Sequence, residues 1–266
     1  MNQQPFFEKV VIITGASSGI GEHLALRLAE QGAWLALAAR NSGQLEEVAR
    51  QCRQIGGKAV AIPTDVAEQS QCKNLIERTA AEYGRIDTLI NNAGITLASR
   101  FTKLRDLSLF EKVVQVNFFG SVYCTHYAIP HLKETRGRLA AISSLRGKLP
   151  SARADGYGAS KHAMAEFFES LRMELSSSGV SVTIIYPGWV STGISSRSFT
   201  ADGRQTGKIS KFEEGAMPVE TCTRLIINAV AKRKREVVMT FQGKLGLWLR
   251  LIAPKIAETL IRKNMG

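Results

Sequence analysis

The sequence predicts an α/β fold built on a doubly wound parallel sheet, and three observations predict it. Short apolar runs alternate with helical stretches from one end of the chain to the other. The runs are four to seven residues long and almost free of charge, as strands buried on both faces are. Several helical stretches stop at a glycine, where a left-handed residue ends a helix without strain.

Taken in order, residues 10–13 form the first strand and run into Thr14-Gly15. A helix follows over 20–31, with Ile20, Leu24 and Leu28 on one face, and stops at Gly32. The second strand is 34–39, and a charged helix over 44–55 closes at Gly56-Gly57. The third strand is 59–62 and the third helix 68–83, ending at Gly84. Strand 86–90 leads into Asn91-Asn92-Ala93-Gly94. Two long helical stretches, 107–133 and 151–178, flank the strand 138–142. The β-branched run 180–186 stops at Pro187-Gly188. A polar segment over 191–218 precedes a helix to Ala231, a short strand over 236–240 and a basic, apolar tail over 241–266. No linker-like change of composition and no solenoid-length repeat divides the 266 residues, so one domain spanning 1–266 is expected.

Composition narrows the classes. Hydrophobic residues make up 44% and charged residues 22%, which excludes a disordered chain. Lys+Arg 35 against Asp+Glu 23 leaves +12, a balance that suits an anionic partner: nucleic acid, a membrane surface or a phosphorylated small molecule. Cys52, Cys72, Cys124 and Cys222 are widely spaced and read as reduced, structural thiols; no metal site is expected. No basic-then-apolar leader and no uncharged apolar run of about 18 residues is present, so neither a signal peptide nor a spanning helix is expected.

The chemistry begins at Thr14-Gly15-Ala16-Ser17-Ser18-Gly19-Ile20-Gly21. Between a first strand and a helix, such a turn brings backbone against a pyrophosphate held on the helix N-terminus. Gly15, Ser17, Ser18, Gly19 and Ile20 are therefore candidate cofactor contacts. The end of the second strand, where an acid would bond an unmodified adenosine ribose, carries Ala39 and then Arg40. A guanidinium there suits a 2′-phosphate, and NADP(H) is expected over NAD(H). Asp65 and Val66 stand where the adenine would lie. Farther on, Tyr157 and Lys161 are four residues apart on one helical face. A free phenol titrates near ~10, and a neighbouring ammonium with an oxidised nicotinamide would lower that value. Ser144 follows a strand, where its hydroxyl can bond a reacting carbonyl oxygen.

Together Thr14-Gly15-x-x-x-Gly19-x-Gly21, Asn91-Asn92-Ala93-Gly94, Asn117, Ser144, Tyr157-x-x-x-Lys161 and Pro187-Gly188 resemble the short-chain dehydrogenase/reductase superfamily, in its order and over nearly the whole chain. The resemblance implies a Rossmann-type sheet of about seven strands in the order 3-2-1-4-5-6-7. It implies a tetrad: Tyr157 as acid/base, Ser144 polarising the substrate oxygen, Lys161 anchoring the ribose, and Asn117 holding a relay water. Asn92, Ala93, Gly94, Pro187, Gly188, Val190 and Thr192 would complete the cofactor site, with Val190 and Thr192 on the nicotinamide carboxamide. Tyr186 replaces the Asn that many members carry before Pro-Gly, with an expected effect on loop support rather than chemistry. A finer resemblance, carried by the stretches 142–148 and 200–203, is to the hydroxysteroid dehydrogenases and the dehydrogenase/reductase member-seven group.

The expected substrate is therefore a hydrophobic, steroid- or lipid-like ketone or alcohol. Phe199, Ile209, Phe212 and Met217 are candidates for an apolar lid, or for packing on the body. The long helices are expected to pair across a two-fold axis into a homodimer or homotetramer. The tail, broken at Pro254, reads as two helices apolar on one side and basic on the other. That pattern suits a membrane surface or, alternatively, the body or a partner subunit. The expected location is cytoplasmic with peripheral membrane contact. The rival class is a catalytically silent regulator or nucleic-acid binder on the same fold, to which the Lys232-Arg233-Lys234-Arg235 run contributes; no nucleic acid is expected with the Ser/Tyr/Lys set intact.

Overall fold

The computed structural model describes residues 4–150, 155–213 and 215–265. In chain order the elements are β1 (Val10–Thr14), α1 (Gly19–Ala29), β2 (Trp34–Ala39), α2 (Ser42–Gln54), β3 (Lys58–Pro63), α3 (Gln69–Tyr83), β4 (Thr88–Asn91), α4 (Ser108–Val114), α5 (Gly120–Thr135), β5 (Arg138–Ile142), α6 (Asp155–Glu174), β6 (Ser181–Tyr186), β7 (Val190–Ser191), β8 (Met217–Pro218), α7 (Val219–Ala231), β9 (Glu236–Val238), α8 (Phe241–Ile252) and α9 (Pro254–Met265). Seven parallel strands form one sheet in the order β3-β2-β1-β4-β5-β6-β9, the expected 3-2-1-4-5-6-7 with β9 as the seventh.

Apolar strands force this layering. Every residue of β1 and β4 is buried, so neither sheet face can meet water and helices must cover both. α1, α2 and α7 cover one face through Leu24, Leu28, Leu45, Val48 and Ile226. α3, α5 and α6 cover the other through Leu75, Leu132 and Phe168. Parallel strands put all their C-terminal ends on one edge, and the motif residues follow those ends. Helix α3 closes at Gly84, whose φ is +72°.

Three departures from the sequence reading bear on function. The stretch expected as one helix over 107–133 is α4, a π turn (Gln115–Phe119) and α5. The helix expected from 151 begins, within the described residues, at Asp155 in α6; residues 151–154 lie outside them. The segment 191–218 is not an open loop. β7 pairs with β8 (Val190↔Met217, Ser191↔Pro218), so its two ends are zipped together beside the sheet. The tail forms the two expected helices, meeting at Pro254; the side chains of Arg262 and Lys263 lie outside the described residues.

Candidate active site

At the end of β1 the chain must turn sharply against β4. Gly15 does so at φ +67°, and a Cβ there would stand 2.8 Å from the Ala93 Cα. A Cβ on Gly21 would run into the Gly15 carbonyl, so α1 packs against the turn only because position 21 has no side chain. The Asn92 side-chain amide donates to the Thr14 carbonyl oxygen (2.9 Å), and the Asn92 and Ala93 backbone N–H groups donate to Thr14 Oγ1 (3.0 Å each). These bonds lock the β1 and β4 turns into one surface. The N-terminus of α1 at Gly19-Ile20 opens onto that surface, its first N–H groups free of helical partners.

Arg40, just past β2, is exposed, and Asn41 caps α2 by accepting from the Gln44 N–H (3.1 Å). A cleft of about 420 Å³ lies between the turn and α2, lined in part by Ser17, Ser18, Gly43 and Gln44. Glu47 also lines it, but Arg50 holds that carboxylate in a two-pronged contact. Asp65 turns the chain after β3 by accepting from the Ala67 N–H (3.0 Å), and Val66 packs against Gly120.

The π turn places Asn117. Its Oδ1 accepts from the Ile95 N–H (2.8 Å), while Nδ2 donates to the Ile95 carbonyl and to Ser160 Oγ (3.0 Å each). Asn117 thereby pins the segment after Gly94 to α6. A Cβ on Gly94 would lie 3.2 Å from Asn117 Oδ1 and 3.6 Å from Lys161 Nζ, so these three motif positions converge.

After β5, Ser144 accepts from the Arg146 N–H (3.2 Å) and starts a short 3-10 turn, Leu145–Gly147. The Leu145 N–H donates to the Pro187 carbonyl (2.8 Å), which ties this turn to the start of the Pro187-Gly188 segment. Ser143 Oγ donates to the Lys161 carbonyl (3.1 Å) and seats α6 on the strand end. Lys161 is buried; its ammonium donates to the Ile142 carbonyl (2.8 Å) and lies 5.9 Å from the Tyr157 ring centre. Burial pushes the Lys161 pKa down to about 8.

The Tyr157 phenol is enclosed by the chain. Burial raises its pKa, and that desolvation outweighs the two influences that hold it down, a hydrogen bond with Ser144 and the charge of Arg146. Those two, rather than Lys161, are the lowering groups. The phenol is thus protonated at neutral pH, in hydrogen-bonding contact with the Ser144 hydroxyl.

Beyond β7 the site is organised by residues that the sequence reading did not single out. Glu213 is buried, and its carboxylate accepts from the N–H groups of Thr192 (2.9 Å), Gly193 (2.5 Å) and Ser195 (3.4 Å) and from the Ser195 hydroxyl. Burial alone would raise its pKa; the Ser195 hydroxyl and those backbone donors hold it below the usual carboxylate range. Arg197 donates to Ser18 Oγ (2.8 Å) and to the Thr192 carbonyl (3.2 Å), spanning the two sides of the cleft. Val190 is buried in β7, and Gly188 packs on Thr240. Trp189 stacks on Phe212 at 5.8 Å and 16°. Of the lid candidates, Ile209 and Phe212 are exposed, Phe199 bridges to Leu97, and Met217 packs on the core through β8. Tyr186 is buried beneath the Lys148 ammonium, 4.5 Å from its ring centre. No spacing rule flags Glu213 or Arg197: each acts on residues far away in sequence or across a loop.

Two further sets resolve plainly. The four cysteines are buried and free, and among the described residues no group of three or more His, Cys, Asp or Glu could hold a metal. In the 232–235 run, Arg233 donates to the carbonyls of Arg136, Gly137 and Gly179, and Arg235 donates to Glu169.

Residues 9–203 match the family described as short chain dehydrogenase. The chain belongs to that family. This short-chain dehydrogenase is 38% identical over 257 residues to the 11-beta-hydroxysteroid dehydrogenase-like 4A of Arabidopsis thaliana, covering 96% of this chain and 84% of that protein. It is 34% identical over 260 residues to 11-beta-hydroxysteroid dehydrogenase A of Sesamum indicum, covering 96% and 74%. Its fold is that of a short chain dehydrogenase/reductase from Burkholderia phymatum solved in complex with NAD, with a TM-score of 0.84, 23% identity and 96% of each chain covered. An alcohol dehydrogenase from the archaeon Thermococcus sibiricus complexed with 5-hydroxy-NADP superposes with a TM-score of 0.76 at 24% identity, covering 87% of this chain and 96% of that one. The family is one of oxidoreductases, and the hydroxysteroid dehydrogenase-like branch holds these sequence relatives. The dinucleotide that the family implies fits the residues present: Gly15 and Gly21, with no room for a Cβ, let the turn and α1 close against β4, and α1 offers its free N–H groups at that turn.

Proposed function

We propose that this short-chain dehydrogenase interconverts a hydrophobic, steroid- or lipid-like ketone and its secondary alcohol using NADP(H). The observation that carries the reading is the convergence of Gly94, Asn117 and Lys161, with the Lys161 ammonium 5.9 Å from the Tyr157 ring centre and the Ser144 turn tied to the Pro187-Gly188 segment. When bound, the nicotinamide supplies or accepts the hydride. Tyr157 passes its proton to the carbonyl oxygen, and a phenol kept protonated by burial is the form that ketone reduction needs. Ser144 Oγ holds the same oxygen, positioned by its own bond from the Arg146 N–H. Lys161 anchors the ribose. The Asn117 side chain is committed to Ile95 and Ser160, so a relay water would be held by the Asn117 backbone carbonyl, in a π turn that departs from the regular helical ladder.

On the cofactor side, Gly15, Ser17, Ser18, Gly19 and Ile20 receive the pyrophosphate, with Arg197 adding a cation across the cleft. Arg40 takes the 2′-phosphate, Asp65 and Val66 the adenine, and Asn92, Ala93, Gly94, Pro187, Gly188, Val190 and Thr192 the nicotinamide half. The exposed apolar residues of α8, with Lys244 and Arg250 beside them, suit an anionic membrane surface from which a lipid-like substrate arrives. No helix among the described residues is long and apolar enough to cross a membrane. Exposed Phe119 and Met173 support pairing of the α4–α5 and α6 faces into a homodimer or homotetramer.

The test is fluorescence titration with NADPH and NADH followed by a panel of hydrophobic ketones and alcohols. NADPH binding with ketone reduction is expected. A chain that binds no dinucleotide, or binds it and reduces nothing, returns the fold to the silent-regulator class.

A further inference from the structure

Arg146 is a cation in an unusual place. It sits in the 3-10 turn directly after Ser144, its backbone N–H on the Ser144 hydroxyl. Its guanidinium lies 5.5 Å from the Trp189 ring centre, and Trp189 in turn stacks on Phe212 of the 191–218 segment. Arg146 therefore stands between the reacting end of the site and the segment that covers it. The side chain is half-buried, and burial pushes its pKa down. Its neighbours differ from those of the two half-buried cations nearest it in kind. Lys148 pairs with Glu236 at 2.6 Å, and Arg172 pairs with Glu169. Arg146 has an aromatic face and a neutral phenol, and among the described residues no carboxylate pairs with it.

A half-buried guanidinium without a counterion carries a desolvation cost, and its N–H donors, none of them buried without a partner, remain open to a ligand. Trp189 offsets part of that cost by cation–π contact, but a ring face accepts no fork of hydrogen bonds. The geometry points to an anion supplied by the substrate: Arg146 binds a carboxylate or phosphate group carried by the hydrophobic ketone, close to its carbonyl. The inference rests on the oxidoreductase reading above and deepens it, from a lipid-like ketone to an acidic one. It also separates this site from one built for a neutral polycyclic ketone, which has nothing to offer a half-buried guanidinium.

Two matched pairs test it with NADPH: a medium-chain oxo acid against its methyl ester, and a medium-chain hydroxyketone against its phosphate ester. The pairs also tell carboxylate from phosphate. The charged member is expected to be favoured in kcat/KM by about ten- to a hundredfold, the range of a charge-assisted fork. Arg146→Met should erase the charged-over-neutral ratio of kcat/KM, and any change that the lost charge works through Tyr157 falls on both members alike and cancels in that ratio; Arg146→Lys should keep part of the ratio. Calorimetric titration of the NADPH-bound chain with octanoate, and with octanol as control, reads the same site without turnover. Octanoate binding should weaken about tenfold or more in Arg146→Met, with octanol unchanged. A wild-type chain that reduces the neutral ketones but treats their charged partners no better overturns this inference alone. So does an Arg146→Met variant that keeps the charged-over-neutral ratio, which would mean that Arg146 acts only through Tyr157. A chain that reduces none of the four overturns the ketone reading, and the octanoate titration still decides the anion site.

Discussion

The two walls of the candidate site are made by different means. The wall at β1 and β4 is backbone: glycines too close to their neighbours to carry a Cβ, threonine and asparagine side chains bonding main chain, and a helix N-terminus. The wall at 189–218 is side chain: the Glu213 carboxylate, the Trp189–Phe212 stack and the Arg197 guanidinium. A backbone wall is set by two short motifs, each a few positions long although 78 residues separate them, and suits a cofactor of fixed shape. A side-chain wall is assembled from single residues scattered in sequence: the Ser191 hydroxyl donates to the Glu213 carbonyl (3.3 Å), 22 positions on, and Arg197 reaches Ser18, 179 positions back. It can be rebuilt for another substrate without disturbing the first.

The largest expected effect breaks neither wall but the chemistry between them. Tyr157→Phe removes the proton donor and leaves the ring. Turnover should fall by about 10²–10⁴-fold, the usual contribution of a general acid, while NADPH affinity is retained. Single-turnover rates set beside fluorescence titration check it, and substantial residual turnover would take Tyr157 out of the role.

Arg40→Asp tests the backbone wall where it ends and side-chain recognition begins. The change removes a phosphate partner and adds repulsion, each worth on the order of 1–3 kcal/mol, so preference should swing from NADPH to NADH. An unmodified chain that already uses both equally would show that Arg40 reads no phosphate.

This contrast also explains what was legible in the sequence. The glycine turn, Asn92, Ser144, Tyr157 and Lys161 are visible because local spacing alone places them at strand ends or on one helical face. The alternation of apolar runs with helices made the parallel, two-sided layering legible, while the sheet order came from the family resemblance that those motifs carry. Asn117 needed the π turn, which no period reports: 107–133 reads as one helix because its apolar spacing continues through the interruption. Arg146 was visible as a letter beside Ser144, but its lack of a counterion depends on every residue that packs around it. The desolvation of Tyr157 was not legible for the same reason. Proximity to Lys161 can be counted along a helix, whereas desolvation depends on the whole enclosure.

Glu213→Gln tests the side-chain wall itself. The amide keeps the shape but loses the charge and turns an NH₂ toward backbone donors, a loss of about 1–3 kcal/mol. Cleavage within 192–213 by protease should rise, together with KM for both cofactor and substrate. The wild-type chain carries the same information in its pH dependence. The Glu213 pKa is lower folded than unfolded, so its contribution is present above the ordinary carboxylate range and is lost as the pH falls through the lowered value. Acidification should therefore loosen this segment in the parent and not in the Gln variant. Equal loosening in both would assign the effect to another group.

The smallest expected effect concerns α8, which packs from outside on the turn after Ser144, between the two walls. Gly243 and Gly246 lie close against Leu145 and Leu149, and Arg250 donates to the Lys148 carbonyl, so the helix covers the turn that holds Ser144. Truncation after Gln242 would uncover that turn and confuse folding with membrane contact. The outer face is the cleaner target: Trp248 is 67% exposed and Leu251 81%, and neither belongs to the buried core. Trp248→Ser should leave stability within about 0.5 kcal/mol, as exposed substitutions do. A large side chain moved from water to an apolar phase is worth about 1.5–3 kcal/mol, so co-sedimentation with anionic vesicles at low salt should weaken about tenfold. Raising the salt should weaken the parent as well, because Lys244 and Arg250 act on the headgroups through a screened field. If Trp248→Ser leaves sedimentation unchanged but shifts a dimer toward monomer in light scattering, the outer face of α8 meets a second copy of the chain rather than lipid. The wall around Ser144 would then be completed by assembly.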